Sequence, residues 1–212
     1  MKKNKAFTLA EVLVSLMIIG VIAAMTIPTL MNNANSKQIY SMLTKAQMAV
    51  SNATGAGEAQ HGTIRFWDWS YMLDKHYRIS MNISEWCDGN KRCLPAKYIK
   101  NAPVTHWWNN AGWKTFITTD GMYWGAVGSS SCSLKEGTPL YINNGCAYFE
   151  VDINGLKKPN KIGKDIFGFV ITPQGTFPFG SCPGCSMAHC KNKIGSSWAC
   201  TGRVLQEGKV SW

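Results

Sequence analysis

A chain of 212 residues has room for one domain of ordinary size beside a long terminal segment, but not for two large domains. Its formal net charge of +10 predicts attraction to nucleic acid or an anionic surface, or else a lysine-rich exterior that keeps the chain soluble. Catalysis is not expected, because no Gly-rich phosphate loop or metalloprotease helix occurs and the four histidines lack a recognisable Ser or Asp partner.

The first predicted element is an apolar helix over residues 7–31. It would be about 37 Å long, against about 30 Å for the hydrocarbon core of a bilayer. Glu11 lies inside this segment, where an acidic side chain costs about 2.5 to 3.5 kcal/mol at the centre and less near an interface. We therefore expect Glu11 to be a functional residue whose partner is a free amine.

The flanking charges predict the orientation of this helix. Lys2, Lys3 and Lys5 precede it, whereas a lone Lys37 follows it closely. Because positively charged flanks stay in the cytoplasm, we expect a single-pass chain in the cytoplasmic membrane, with its N-terminus inside and the remainder exported.

A basic leader, the sequence Phe7-Thr8-Leu9, a glutamate at position 11 and the apolar run behind it resemble the cleavage and methylation segment of type IV prepilins and type II secretion pseudopilins. The resemblance implies that a prepilin peptidase cuts between Ala6 and Phe7 and methylates the new amine of Phe7. It also implies that Glu11 pairs with this amine on a neighbouring subunit, and that Gly20 and Pro28 loosen and kink the helix. Ala6 departs from the family, which normally has Gly before the cut.

An ordinary secretory signal peptide is the alternative interpretation of the same segment. It would combine the lysine-rich start with a small-residue cleavage site at Val21-Ile22-Ala23. This alternative predicts a mature chain that starts near Ala24, and it leaves Glu11 unexplained.

The helix is predicted to continue beyond the membrane. Ile39, Leu43, Ala46 and Val50 recur at the spacing of a single apolar stripe, and the sequence Gly55-Ala56-Gly57 is expected to end it. The predicted organisation is a leader over residues 1–6, a transmembrane and filament-core helix over 7–31, an amphipathic continuation over 32–56, and an exported globular domain over 57–212.

Beyond residue 60 the composition favours sheet and loops. The strongest strand signal is a hairpin over residues 116–127, whose Asp120-Gly121 suits a two-residue type I′ turn. Further strands are predicted over residues 146–153, 167–171 and 176–179. An antiparallel sheet of four or five strands, packed on the helix stripe and stapled by disulfides in its loops, gives an α+β, pilin-like fold class.

A cation site is one interpretation of the segment at the end of the predicted strand over residues 146–153 and beyond it. Asp152, Asn154 and Asp165, with Pro159-Asn160 and Gly163 between them, resemble a loop of many pseudopilin-like domains, some of which bind calcium there. Their oxygens are the ligand type that calcium prefers. We favour the alternative, an Asx-type turn that accepts backbone amides, because the segment has few acidic positions and several lysines. No other cofactor is expected.

The eight cysteines predict disulfides, since an exported domain folds in an oxidising compartment. Cys87 with Cys93 and Cys132 with Cys146 are near neighbours and are expected to close loops. The other candidates are Cys182, Cys185, Cys190 and Cys200. With His189, these four also have the ligand types of a tetrahedral zinc site, although disulfides are the favoured interpretation.

Two aromatic sequences, Phe66-Trp67-Asp68-Trp69 and His106-Trp107-Trp108, suit stacking on DNA bases or sugars in a basic chain. We favour a core-filling role for the nine tryptophans. The predicted function is a structural subunit of a type IV pilus or a type II secretion pseudopilus, in contact with prepilin peptidase, other subunits and membrane lipid. The alternative is a membrane-anchored or tip-located minor subunit whose basic, Trp-rich domain binds DNA or glycan.

Overall fold

The computed structural model of the chain describes residues 8–87, 93, 112–134, 144–182, 190 and 197–210. Its helices are α1 (Leu9–His61), α2, which joins Trp69–Tyr71, a π-helical turn at Met72–Tyr77 and Arg78–Ser80, and α3 (Cys200–Glu207). Its strands are β1 (Ile83–Cys87), β2 (Lys114–Thr118), β3 (Tyr123–Gly128), β4 (Ala147–Asp152), β5 (Ile166–Thr172) and β6 (Gly175–Pro178). Short 3₁₀ turns lie at Ile64–Phe66 and Ser197–Ala199. The predicted α+β fold class is confirmed.

Helix α1 is 53 residues long and runs past the glycines that were expected to end it. It ends instead at His61 and is capped by Gly62, whose φ of +76° suits a residue without a Cβ. The prediction of an end at Gly55-Ala56-Gly57 was wrong because Gly57 is a packing position. A Cβ at Gly57 would lie 2.6 Å from the ring of Trp67, so the missing side chain lets α1 approach this indole closely.

The predicted stripe on the second half of α1 is confirmed. Leu43, Ala46 and Val50 are buried, and Ile39 packs against the same core at its edge. Pro28 lies inside the helix, in its first half. The helix therefore joins the globular domain only through its second half.

The six strands form one sheet in the order β1-β2-β3-β4-β5-β6, and every neighbouring pair is antiparallel. Both faces of its centre are covered. Along β4, Phe149 belongs to the core cluster that contains the α1 stripe, whereas its neighbour Tyr148 belongs to a second cluster with Phe179 and Trp198. Consequently β4 and β5 are buried along their whole length.

The hairpin between β2 and β3 lies where the sequence predicts it, but its turn differs. The Thr118 amide donates to the Met122 carbonyl at 3.1 Å, which closes a loop of the three intervening residues, 119–121. Gly121 has a φ of +82°, whereas Asp120 does not have a positive φ, so the turn is not type I′. The Asp120 carboxylate accepts a hydrogen bond from the Thr118 hydroxyl at 2.5 Å and pairs with Lys45 at 2.9 Å, and both contacts favour the longer loop.

Three elements were missing from the sequence prediction of sheet and loops, and one of them is helix α3 (Cys200–Glu207). Asp68 caps the start of helix α2, because its carboxylate accepts from the Ser70 and Tyr71 amides, and Trp69 and Tyr77 of this helix are buried. Strand β1 was also missed, because burial does not alternate along it and only Cys87 is buried.

Candidate functional site

The first half of α1 is apolar and is not covered by the rest of the chain. Its large side chains are all exposed, from Leu9 at 79% to Val12 at 45%. This half is long and apolar enough to cross a membrane, as judged by length and composition, and none of its most apolar stretch is buried. The exposed apolar surface ends at Met31, just before the polar residues Asn32 and Asn33.

Glu11 lies in the first turn of this uncovered segment, where it forms a capping box with Thr8. The Thr8 amide and the Thr8 hydroxyl both donate to Oε2 of Glu11 at 2.8 Å, and the Glu11 amide donates back to the Thr8 hydroxyl at 3.3 Å. No described residue donates to Oε1. The sequence prediction missed Thr8, although Thr-x-x-Glu before an apolar run is the signature of this cap.

The other residues predicted for this segment are placed as follows. Ala6 and Phe7, the predicted cleavage pair, lie outside the described residues. Gly20 is within the helix and would meet nothing within 4 Å if it carried a Cβ. Pro28 is helical, and the kink predicted there stays a prediction.

Asp165 organises the connection between β4 and β5. Its Oδ1 accepts from the Lys161 amide at 2.5 Å, and its Oδ2 accepts from the Asn160 amide at 2.6 Å and from the Asn154 side chain at 3.3 Å. Asp152 accepts in turn from the Asn154 amide at 3.2 Å. These bonds form the Asx-type turn that the sequence analysis favours.

Calcium at Asp152, Asn154 and Asp165 stays a prediction. The N–H groups around Asp165 direct partial positive charge at the carboxylate that would have to bind the ion. Burial raises the pKa of the Asp165 carboxyl, although the N–H donors from Lys161 and Asn160 oppose this. Two amide oxygens, Oδ1 of Asn154 and Oδ1 of Asn160, are buried without a hydrogen-bond partner among the described residues.

Disulfides join three pairs of described cysteines. Cys87–Cys93 and Cys132–Cys146 are the pairs that sequence proximity favoured, and Cys190–Cys200 is the third. Cys182 is also disulfide-bonded. Cys185 and His189 lie outside the described residues. The zinc alternative is therefore wrong for Cys182, Cys190 and Cys200, because sulfur in a disulfide is not a thiolate ligand.

The two tryptophans of the aromatic sequence around residue 67 belong to the core, whereas Phe66 beside them is 83% exposed. Trp67 and Trp69 are 3% and 2% exposed, and their ring centroids lie 5.2 Å apart. Among the described tryptophans, Trp124 and Trp198 are also buried, whereas Trp86 and Trp113 are half-buried and pack against the core clusters, so these rings fill the core more than they form a stacking surface. Trp107 and Trp108 lie outside the described residues.

Comparison with protein families finds a match at this site. The family model of the prokaryotic N-terminal methylation motif matches residues 1–27, a stretch that contains Ala6, Phe7, Glu11 and Gly20. No curated protein and no solved structure matches the chain. The apolar helix and the motif together fit a membrane-anchored pilin. The chain thus carries the methylation motif that is the prepilin-cleavage signature of type IV pilins and pseudopilins, on an α+β, pilin-like fold.

Proposed function

We propose that this chain is a structural subunit of a type IV pilus or a type II secretion pseudopilus, cut by prepilin peptidase between Ala6 and Phe7 and assembled through α1. The observation that carries the proposal is the uncovered apolar half of α1 with Glu11 in its first turn. Apolar surface of this extent needs lipid or other helices around it.

The electrostatics of Glu11 support assembly through a charged partner. Thr8 supplies two neutral donors to one carboxylate oxygen, which leaves the full negative charge uncompensated. A charge in an apolar medium costs far less when an opposite charge lies beside it. The new amine of Phe7 on a neighbouring subunit would provide that charge at the level of Glu11, and the pair would set the axial register of the filament.

The proposed topology places the N-terminus in the cytoplasm and the globular domain outside. Removal of Lys2, Lys3 and Lys5 with the leader lowers the formal charge from +10 by 3, to +7. Helix α1 is about 80 Å long, so its first half can pack in a filament core while its second half holds the sheet as an outer coat.

Mass analysis of the N-terminus of the mature chain tests the processing step. The expected result is a chain that starts at an N-methylated Phe7. A start near Ala24 would identify a signal peptide, and retention of Met1 would exclude processing, so either outcome would overturn the proposal.

A substitution in the membrane segment tests the assembly step. Glu11→Leu is expected to leave membrane insertion intact and to reduce filament formation strongly, because the amine loses its partner. Thr26→Val is the matched control, since the Thr26 hydroxyl is bonded within the helix to the Ile22 carbonyl at 3.0 Å. Wild-type filament levels in the Glu11 variant would contradict the pairing model.

The alternative role, a scarce minor subunit that binds DNA or glycan, gains no support from the described tryptophans. Abundance separates the two roles. A major subunit is expected to dominate sheared surface material, whereas a minor subunit would be scarce there and would bind nucleic acid or glycan when purified.

A further inference from the structure

Two of the described segments lie at the end of the globular domain nearest the apolar half of α1, and we call them the base. One is the β4–β5 loop, residues 153–165, which forms a cleft with Asn35 and Gln38 of α1. The other is the C-terminal segment, where the Val210 amide donates to the Ser36 hydroxyl at 2.8 Å and this hydroxyl donates back to the Val210 carbonyl at 3.3 Å. Both segments are therefore fixed close to the point where α1 leaves the apolar segment.

The height of the base above a bilayer follows from the helix rise. Asn35 lies about 6 Å along the axis beyond Met31, and Gln38 about 10 Å. The headgroup layer adds about 5 to 8 Å to each side of the hydrocarbon core, and the Debye length at physiological salt is about 8 Å. Lys157 and Lys158, which line the cleft with Asn35 and Gln38, thus lie at the level at which lipid phosphates act on charges.

The exposed charges of the β4–β5 loop are all positive. Its four lysines are exposed, and none of them forms an ion pair with a described residue; they are Lys157, Lys158, Lys161 and Lys164. The acidic residue of the loop, Asp165, is 1% exposed and holds backbone amides. Asp120, which lines the same cleft, is already paired with Lys45.

An exposed apolar side chain accompanies these lysines. Leu156 precedes Lys157 and is 49% exposed. Positive charge beside exposed apolar surface suits the boundary between headgroups and acyl chains better than it suits a purely aqueous surface. A lysine coat that only solubilises the domain would not need Leu156 at this position.

We propose that the β4–β5 loop binds anionic phospholipid headgroups through its four lysines, and so holds the globular domain in a fixed orientation on the membrane before assembly. The proposal rests on the membrane anchoring proposed above. Each lysine near an anionic bilayer surface contributes attraction equivalent to about a fivefold change in equilibrium constant.

Amine labelling of the full-length chain in nanodiscs tests this proposal. The reagent modifies exposed lysines, and peptide mass spectrometry reports the rate at each site. Nanodiscs with phosphatidylglycerol are expected to slow the labelling of Lys157 and Lys158 about fivefold relative to nanodiscs of phosphatidylcholine alone, and high salt is expected to remove the difference. Lys75 is the internal control, because its neighbour His76 bonds to the Ala53 carbonyl, about 27 Å farther along α1 than Asn35.

Control additions separate binding to lipid from binding to free phosphate or to DNA. Inorganic phosphate or duplex DNA, added to phosphatidylcholine nanodiscs, is expected to give no protection, and protection by either one would overturn the assignment to lipid. Equal rates in the two lipids, or equal slowing at Lys75, would also overturn it. The double variant Lys157→Glu with Lys158→Glu is expected to lose the protection of Lys161 and Lys164, whereas Lys75→Glu is expected to retain it.

The experiment distinguishes failure of the membrane anchor from failure of the headgroup site. A chain without a membrane anchor would not copurify with nanodiscs of either lipid. A chain that copurifies with both but shows no protection refutes the headgroup site alone.

Discussion

Two glycines in α1, two residues apart, are expected to respond in opposite directions to the same substitution. Gly55 faces open space, whereas a Cβ at Gly57 would lie 2.6 Å from the ring of Trp67 and 3.1 Å from Nε2 of His76. Gly55→Ala is expected to stabilise the folded chain by about 0.5 to 1 kcal/mol, because alanine is the better helix former.

Gly57→Ala gains the same propensity but overpacks a closed site. Overpacking costs about 1 to 3 kcal/mol. Trp67 is 3% exposed and the His76 ring is bonded to the Ala53 carbonyl at 2.7 Å, so neither neighbour is free to move away. We expect a net loss of about 0 to 2 kcal/mol, and a difference of about 1 to 3 kcal/mol between the two variants.

Thermal unfolding of the full-length chain in mild detergent, followed by tryptophan fluorescence, measures this difference. At about 2 to 4 °C per kcal/mol for a chain of this size, Gly57→Ala should unfold at least 2 °C below Gly55→Ala. Equal stabilisation by both substitutions would refute the reasoning, because it would mean that Trp67 does not pack against α1 at Gly57.

Further predictions concern the hairpin turn, a disulfide and the β4–β5 loop. Burial acts to raise the pKa of Asp120, but hydrogen bonds from Thr118 and Lys45 and the charge of Lys45 outweigh it and lower the pKa. Asp120 therefore stabilises the fold above its unfolded pKa of about 3.9, and this contribution is lost as the pH falls through the folded pKa. The difference in unfolding temperature between wild type and Asp120→Asn should shrink on acidification. A difference that stays constant with pH would contradict this role of Asp120. Replacing both Cys132 and Cys146 by Ser opens a loop with a sequence separation of 14 and is expected to cost about 3 kcal/mol in urea unfolding, whereas an unchanged midpoint would show that the bond adds nothing. The Asx-type turn at Asp165 predicts no change in unfolding temperature with millimolar calcium, and a rise of several degrees would show that the loop binds the ion.

The local features of this chain were predictable from sequence because they depend on neighbouring residues. Glu11 in an apolar run, the capping residues beside it and the apolar stripe through Leu43 and Val50 follow from helical spacing alone. The β2–β3 hairpin and the Cys132–Cys146 disulfide join residues that are close along the chain.

The methylation motif is recognised entirely from residues that are neighbours along the chain. It occupies the continuous stretch of residues 1–27, so its signal does not depend on the fold. The sequence by itself therefore determined the apolar segment, the motif and the position of Glu11 within it.

Only the tertiary structure decided features that depend on distant contacts. Helix α1 continues past Gly57 because Trp67 packs there, and the propensity of two glycines for ending a helix is weaker than that packing. The position of Lys157 and Lys158 beside Asn35 likewise follows from the way the whole sheet packs against α1. Spacing along the chain specifies which residues share one face of a helix. The burial of the complete core decides which faces of the helices and the sheet pack against each other.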